Sequence, residues 1–110
     1  MGDAVIGHLA RRYAANIFGV DPRMVAQASR APHPNLRQAR QVATWAVWVH
    51  MMAFSRATRA AEAGVAESTA ESRCKRCRAR MAHDEEYARR AMAVSDMVES
   101  AIMERMGVRR

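Results

Sequence analysis

The 110-residue sequence predicts an all-α fold, a compact bundle of about five to six helices that contains a helix-turn-helix. Three observations carry that prediction. Alanine, arginine and methionine are abundant, while there are only five glycines, three prolines and 5% aromatics. That mix favours helix and lacks the β-branched and aromatic runs a sheet wants. Apolar residues recur at helical spacing along much of the chain. The stretch AAEAGVAESTAESRCKRCRAR, residues 60–80, reads as a helix, a tight turn and a second helix. The length suits one domain over residues 1–110 with a single modest core.

In chain order, Asp3 is placed to cap a first helix, and Val5, Leu9, Tyr13 and Ile17 recur every four residues with Ile6 beside them. Arg11, Arg12 and Asn16 fall on its wet side, and Gly19 ends it. Asp21-Pro22 opens a second, short helix as an N-cap followed by proline at the first helical position, carrying Met24 and Val25 and failing at Ser29. Arg30-Ala-Pro-His-Pro34 reads as a stiff loop, because two prolines remove donors and push their predecessors to extended backbone.

Asn35 then caps the longest apolar helix, Leu36 to about Ser55. Val42, Trp45, Ala46, Val49, Met52 and Ala53 make one face, and Val47, Trp48, Met51 and Phe54 render much of the rest apolar, so the helix reads as central and covered. Trp45 and Trp48 read as core anchors rather than a stacking platform. The first turns, with Arg37, Gln38, Arg40 and Gln41, are polar and expected to project.

Ser55 marks a break before Arg56–Ala63, the first helix of the helix-turn-helix. Gly64 suits the left-handed residue that stops a helix, Val65 plugs the angle, and Ala60 is small enough for a close crossing. Glu67, Ser68 and Thr69 open the second helix, about 67–80, and Arg73, Lys75, Arg76, Arg78 and Arg80 load its later turns. His83-Asp84-Glu85-Glu86 starts a last helix, with Tyr87, Ala91, Val94, Val98 and Ile102 as its buried stripe, and residues 107–110 form a frayed tail.

Charge is concentrated rather than spread. Residues 30–80 hold ten of the eighteen basic residues and three acids, a net +7 that equals the formal charge of the whole chain. A basic segment of that kind is the footprint expected for a polyanion partner. No apolar run is long enough to span a bilayer and no signal-peptide order opens the chain, so a cytoplasmic, nucleoid-associated protein is expected, with no membrane partner.

Cys74-x-x-Cys77, even with His83, falls short of the four ligands of a structural metal site, so no metal is expected. His8, His33, His50 and His83 lie on separate elements without a nucleophile or paired acid, apart from His83 beside Asp84. The chain therefore reads as a non-enzyme with no cofactor and no small-molecule substrate.

Three pieces of the sequence carry a family likeness. They are RRYAANIFGVDPRMVAQASR near the start, LRQARQVATWAV in the middle and AGVAESTAESRCKR later on. In that order and at those separations, the chain resembles the C-terminal DNA-binding domain of the bacterial replication initiator DnaA, a Trp-repressor-like helix-turn-helix fold, over roughly residues 3–100. The resemblance implies that Arg30, in the basic loop at 30–36, enters a minor groove. It implies that Arg40 and Gln41 contact the DNA backbone or nearby bases, and Arg37, on the same polar start of the central helix, is expected to join them at the DNA. It places Glu67, Ser68 and Thr69 where the family reads bases with His-Thr-Thr and matches Arg76 to a basic residue later on that helix, whose basic loading makes Arg73 a further expected DNA contact. Ala66-Glu67 replaces the family's Asp-His, which trades a donor for a carboxylate and implies a changed preference, for example toward an exposed cytosine amino group.

No GxxxxGK[ST] phosphate loop occurs, so the likeness is to the DNA-binding module and not to the initiator's ATPase. The function expected is duplex DNA binding as a transcriptional regulator of phage-like or gene-transfer genes, alone or with a transcription partner protein. The alternative is a helical protein-interaction module that keeps the fold and presents Trp48, Met51 and Phe54 to a partner. The clustered charge favours the first, and an acid at the head of the second helix, Glu67, favours the second.

Overall fold

The computed structural model describes residues 5–27, 30–31 and 33–107. Among these there are six helices and no strand: α1 Val5–Phe18, α2 Pro22–Ala26, α3 Pro34–His50, α4 Arg56–Ala63, α5 Glu67–Met81 and α6 Glu85–Arg105. α1 and α3 form the central pair, α6 closes over both, and α5 lies chiefly against α3.

The centre is built from small side chains. Ala10, Ala14 and Ala15 on α1 and Ala39 and Ala46 on α3 have no exposed surface, and Ala43 has almost none. Alanines on both helices let two backbones approach without costly rotamer ordering. The larger residues of the expected α1 stripe, Val5, Tyr13 and Ile17, sit on its shoulders and are half-buried, while Ile6, Leu9 and Phe18 are buried. α1 ends at Gly19, whose φ of 69° suits a residue without a Cβ, and Val20 N–H then donates to the Ala15 carbonyl at 2.9 Å.

α2 begins as read: the Asp21 carboxylate accepts from Arg23 N–H at 2.9 Å, with Pro22 in the first turn. It closes at Ala26, earlier than expected; Ser29, Asp3 and the tail beyond Gly107 lie outside the described residues.

Two boundaries of α3 differ from expectation. His33, not Asn35, is the N-cap, its Nδ1 accepting from Leu36 N–H at 3.4 Å, and Pro34 occupies the first turn. The helix stops at His50, because Met51 leaves helical backbone and turns back on itself through a Phe54 N–H bond to the Met51 carbonyl at 3.0 Å. His50 Nε2 lies 3.0 Å from both the carbonyl and hydroxyl oxygens of Ser95, pinning the end of α3 to α6. The apolar jacket expected around the whole helix is therefore incomplete. Met51 is buried, but Val49, Met52 and Phe54 are 40%, 73% and 53% exposed.

α4 is capped by Ser55, which accepts from Thr58 N–H at 3.1 Å, and α6 by Asp84, which accepts from Tyr87 N–H at 3.0 Å. Tyr87, Ala91, Val94 and Val98 form the buried stripe of α6 and Ile102 packs at its edge. At 21 residues α6 is longer than the 17-residue α3.

Candidate nucleic-acid interface

The α4–α5 corner takes its shape from Gly64. Its φ of 78° turns the chain, its N–H donates to the Ala61 carbonyl, and Val65 N–H donates to the Ala60 carbonyl at 3.1 Å. Ala60 is buried and Val65 packs at the edge of the core, so the two helices are held at a fixed angle by residues 64–66.

α5 divides cleanly by helical spacing. Ala70, Cys74 and Cys77 are buried at three- and four-residue intervals and face α3 and α6. The opposite side carries Ser68, Thr69, Ser72, Lys75 and Arg76, all exposed. Thr69 and Arg76 are seven residues apart, so they lie on one line of the helix about 10 Å apart. Glu67 is exposed in the first turn, and the N-cap position, Ala66, supplies no side-chain bond to the helix amides.

The other residues singled out in the sequence fall into two groups. Arg30 and Arg37 are exposed, as expected of residues that reach outward. Arg40, Gln41 and Arg73 turn toward the protein instead. Arg40 was expected to project, yet it is only 5% exposed, and its Nη2 and Nε donate to the Met24 carbonyl at 2.7 and 3.3 Å. It ties α3 to the end of α2. The Gln41 side-chain carbonyl accepts from the Tyr87 hydroxyl at 3.1 Å, across to α6. Burial pushes the Tyr87 hydroxyl pKa upward, which keeps that donor protonated. Arg73 is half-buried, and its Nη1 donates to Thr44 Oγ1 at 3.4 Å. Thr44 in turn donates to the Arg40 carbonyl at 2.9 Å. Desolvation, and then the charge of Arg40, hold the Arg73 pKa below its ordinary value.

Several remaining basic residues of 30–80 are also engaged. Arg56 pairs with Glu71 at 3.0 Å, joining α4 to α5 across the corner. The Arg59 guanidinium lies 4.7 Å from the centre of the Trp48 ring, and Arg80 sits over Tyr87 at 4.9 Å while bonding Asp84 at 3.2 Å. Arg30, Arg37, Lys75, Arg76 and Arg78 are the exposed cations not drawn into these interactions.

Two residues that position the corner escaped the sequence reading. Arg11, assigned to the wet side of α1, is half-buried, and its Nη1 donates to the Ala63 and Glu62 carbonyls at 3.2 and 3.4 Å. A cation at the last carbonyls of α4 is favoured by the helix dipole. Gly7 N–H donates to the Glu62 carboxylate at 2.8 Å, and a Cβ on Gly7 would stand 2.0 Å from the Glu62 carbonyl oxygen. A glycine inside an otherwise helical stripe is the sequence signal for such a crossing.

Cys74 and Cys77 are 1% and 0% exposed, and burial pushes both thiol pKa values up to about 11. Among the described residues, no three of His, Cys, Asp and Glu gather where they could hold a metal ion.

No protein-family model matches the chain, and no curated protein is significantly similar to it. Among the described residues, no helix is long and apolar enough to cross a membrane.

Proposed function

We propose that the chain binds duplex DNA, with the exposed face of α5 in the major groove. The observation that carries this reading is the stripe of Ser68, Thr69, Ser72, Lys75 and Arg76 on a helix whose other side is core. A helix 10–12 Å across matches a major groove about 12 Å wide, and hydroxyls near its start with cations further along suit bases first and phosphates next. Glu67, exposed in the first turn, suits a cytosine amino group as acceptor. Arg30 extends the interface to the minor groove, in keeping with the DnaA-like likeness of the sequence, and the exposed Arg37 extends it to the backbone. Arg40, Gln41 and Arg73 serve by holding α3 against α2, α6 and α5. In this reading the chain is a DnaA-like module acting at the nucleoid as a transcriptional regulator of phage-like or gene-transfer genes, without catalysis.

Fluorescence anisotropy on a labelled random duplex over a salt series tests it. Affinity near micromolar that falls steeply with salt is expected, and Arg76→Ala reduces the slope of log affinity against log salt by about one. Ser68→Ala and Thr69→Ala change the preferred sequence, at about 1–3 kcal/mol for each base no longer read. Absence of binding at low salt overturns the reading.

A second reading has its own observation. Val49, Met52 and Phe54 are exposed together at the α3–α4 turn, which suits a protein partner. Of the residues first assigned to that surface, Met51 is buried and Trp48 is half-covered by Arg59. Preserved DNA affinity in a Phe54→Ser variant that no longer binds a transcription partner protein separates the two roles.

A further inference from the structure

The basic segment 30–80 contains three acids, Glu62, Glu67 and Glu71. Glu62 turns inward to the Gly7 N–H, and Glu67 stands at the head of α5. Glu71 is exposed, three residues after Ser68 and four before Lys75, so helical spacing puts it on the border of the exposed stripe of α5. A carboxylate there has a cation within reach on its own helix, because an acid four residues ahead of a lysine is the favourable order. Glu71 takes a different one. Its Oε1 accepts from Arg56 Nη1 at 3.0 Å, across the corner in the first turn of α4. Lys75 is thereby left open, and Arg56 is the cation that is masked.

The two side chains are 69% and 49% exposed. An ion pair this open contributes little to a fold and exchanges readily for another partner. In a helix-turn-helix on duplex DNA the second helix enters the groove and the first crosses the phosphate backbone, which sets the start of α4 beside phosphates. We propose that Glu71 is a built-in competitor for phosphate. It keeps Arg56 occupied, so that this arginine adds nothing to sequence-independent affinity, and it sets a negative charge at the edge of the face. The inference rests on the duplex reading of α5 and adds a control to it. Counterion release at each neutralised phosphate favours every sequence alike. Withholding Arg56 lowers that contribution and leaves the base contacts of α5 to decide, so Glu71 trades affinity for discrimination.

The experiment is anisotropy of a labelled random duplex with the whole chain over a salt series. Glu71→Gln keeps the shape of the side chain and removes its charge. It should bind about fivefold more tightly at about 50 mM salt and steepen the slope of log affinity against log salt by about one. Adding Arg56→Ala to Glu71→Gln should remove that extra unit, because the freed arginine supplies it. Glu104→Gln, which removes an exposed acid from the last turn of α6, should leave the slope at the wild-type value. Equal slopes for wild type and Glu71→Gln overturn the proposal. So does an extra unit that persists in the double variant or appears in Glu104→Gln, since net charge alone would then explain it. If neither wild type nor Glu71→Gln binds at low salt, the duplex reading itself fails and this inference falls with it.

Discussion

Gly7 shows how much one missing methyl can matter. Glycine inside a helix costs about 1 kcal/mol relative to alanine, so on propensity alone Gly7→Ala would stabilise α1. The crossing reverses the sign. A Cβ there would meet the Glu62 carbonyl oxygen at 2.0 Å, and that atom belongs to the backbone of α4, which cannot swing aside like a side-chain tip. Gly7→Ala is expected to destabilise by about 1–3 kcal/mol, seen as a lower urea midpoint at unchanged slope. A midpoint at or above wild type would mean that α1 and α4 separate freely. Arg40 makes a related case. Its buried guanidinium holds the Met24 carbonyl through two nitrogens, and bonds from charged groups contribute about 1.5–3 kcal/mol. Arg40→Met should therefore lower stability on that scale while leaving the salt slope of DNA affinity, measured well below its melting point, unchanged. A slope reduced by one would return Arg40 to the phosphate backbone.

At the scale of elements, α5 carries two thiols on the side that faces the core. Burial holds both near a pKa of about 11, so only about one thiol in a thousand is ionised at pH 8. The cysteines should react with Ellman's reagent orders of magnitude more slowly in the native protein than in guanidinium chloride, where two thiols appear at once. Fast native labelling would mean that α5 detaches from α3 under native conditions.

The same helix was largely legible in the sequence. Gly64, the small Ala60 and the change from apolar to basic composition mark the corner, because turn chemistry is local. The register of α1 was less so: Val5, Tyr13 and Ile17 form a plausible stripe, but the closest packing is made by alanines, whose modest hydrophobicity gives a periodicity count little to hold. The end of α3 was illegible for another reason. Val49, Met52 and Phe54 continue an apolar pattern past the point where Met51 leaves helical backbone, and the contact that pins this end, His50 with Ser95, lies 45 positions away in the chain. Arg11, Arg40 and Arg73 fit polar positions by pattern, and only the packed helices turn them inward.

For the whole molecule, the response to acid follows from two capping carboxylates. Asp21 is held below its ordinary pKa first by its side-chain bond to Arg23 and then by the Arg23 N–H. Asp84 is held down first by the Tyr87 N–H and also by Arg80. In each case the folded pKa lies below the unfolded one, so the native state binds fewer protons wherever either form titrates. Their contribution to stability is complete above the unfolded value, about 4, and disappears as the pH falls through the folded value. Protonation also adds charge to a chain already at +7, which increases self-repulsion. The unfolding midpoint should accordingly be level from neutrality down to about pH 5 and fall below about pH 4. Asp84→Asn should start from a lower midpoint at pH 7 and lose less on acidification, because asparagine still caps but cannot ionise. The combined Asp21→Asn and Asp84→Asn variant should be flatter again. If it kept the full wild-type acid slope, the linkage would have to reside in other carboxylates, and neither cap would be setting the fold's tolerance of acid.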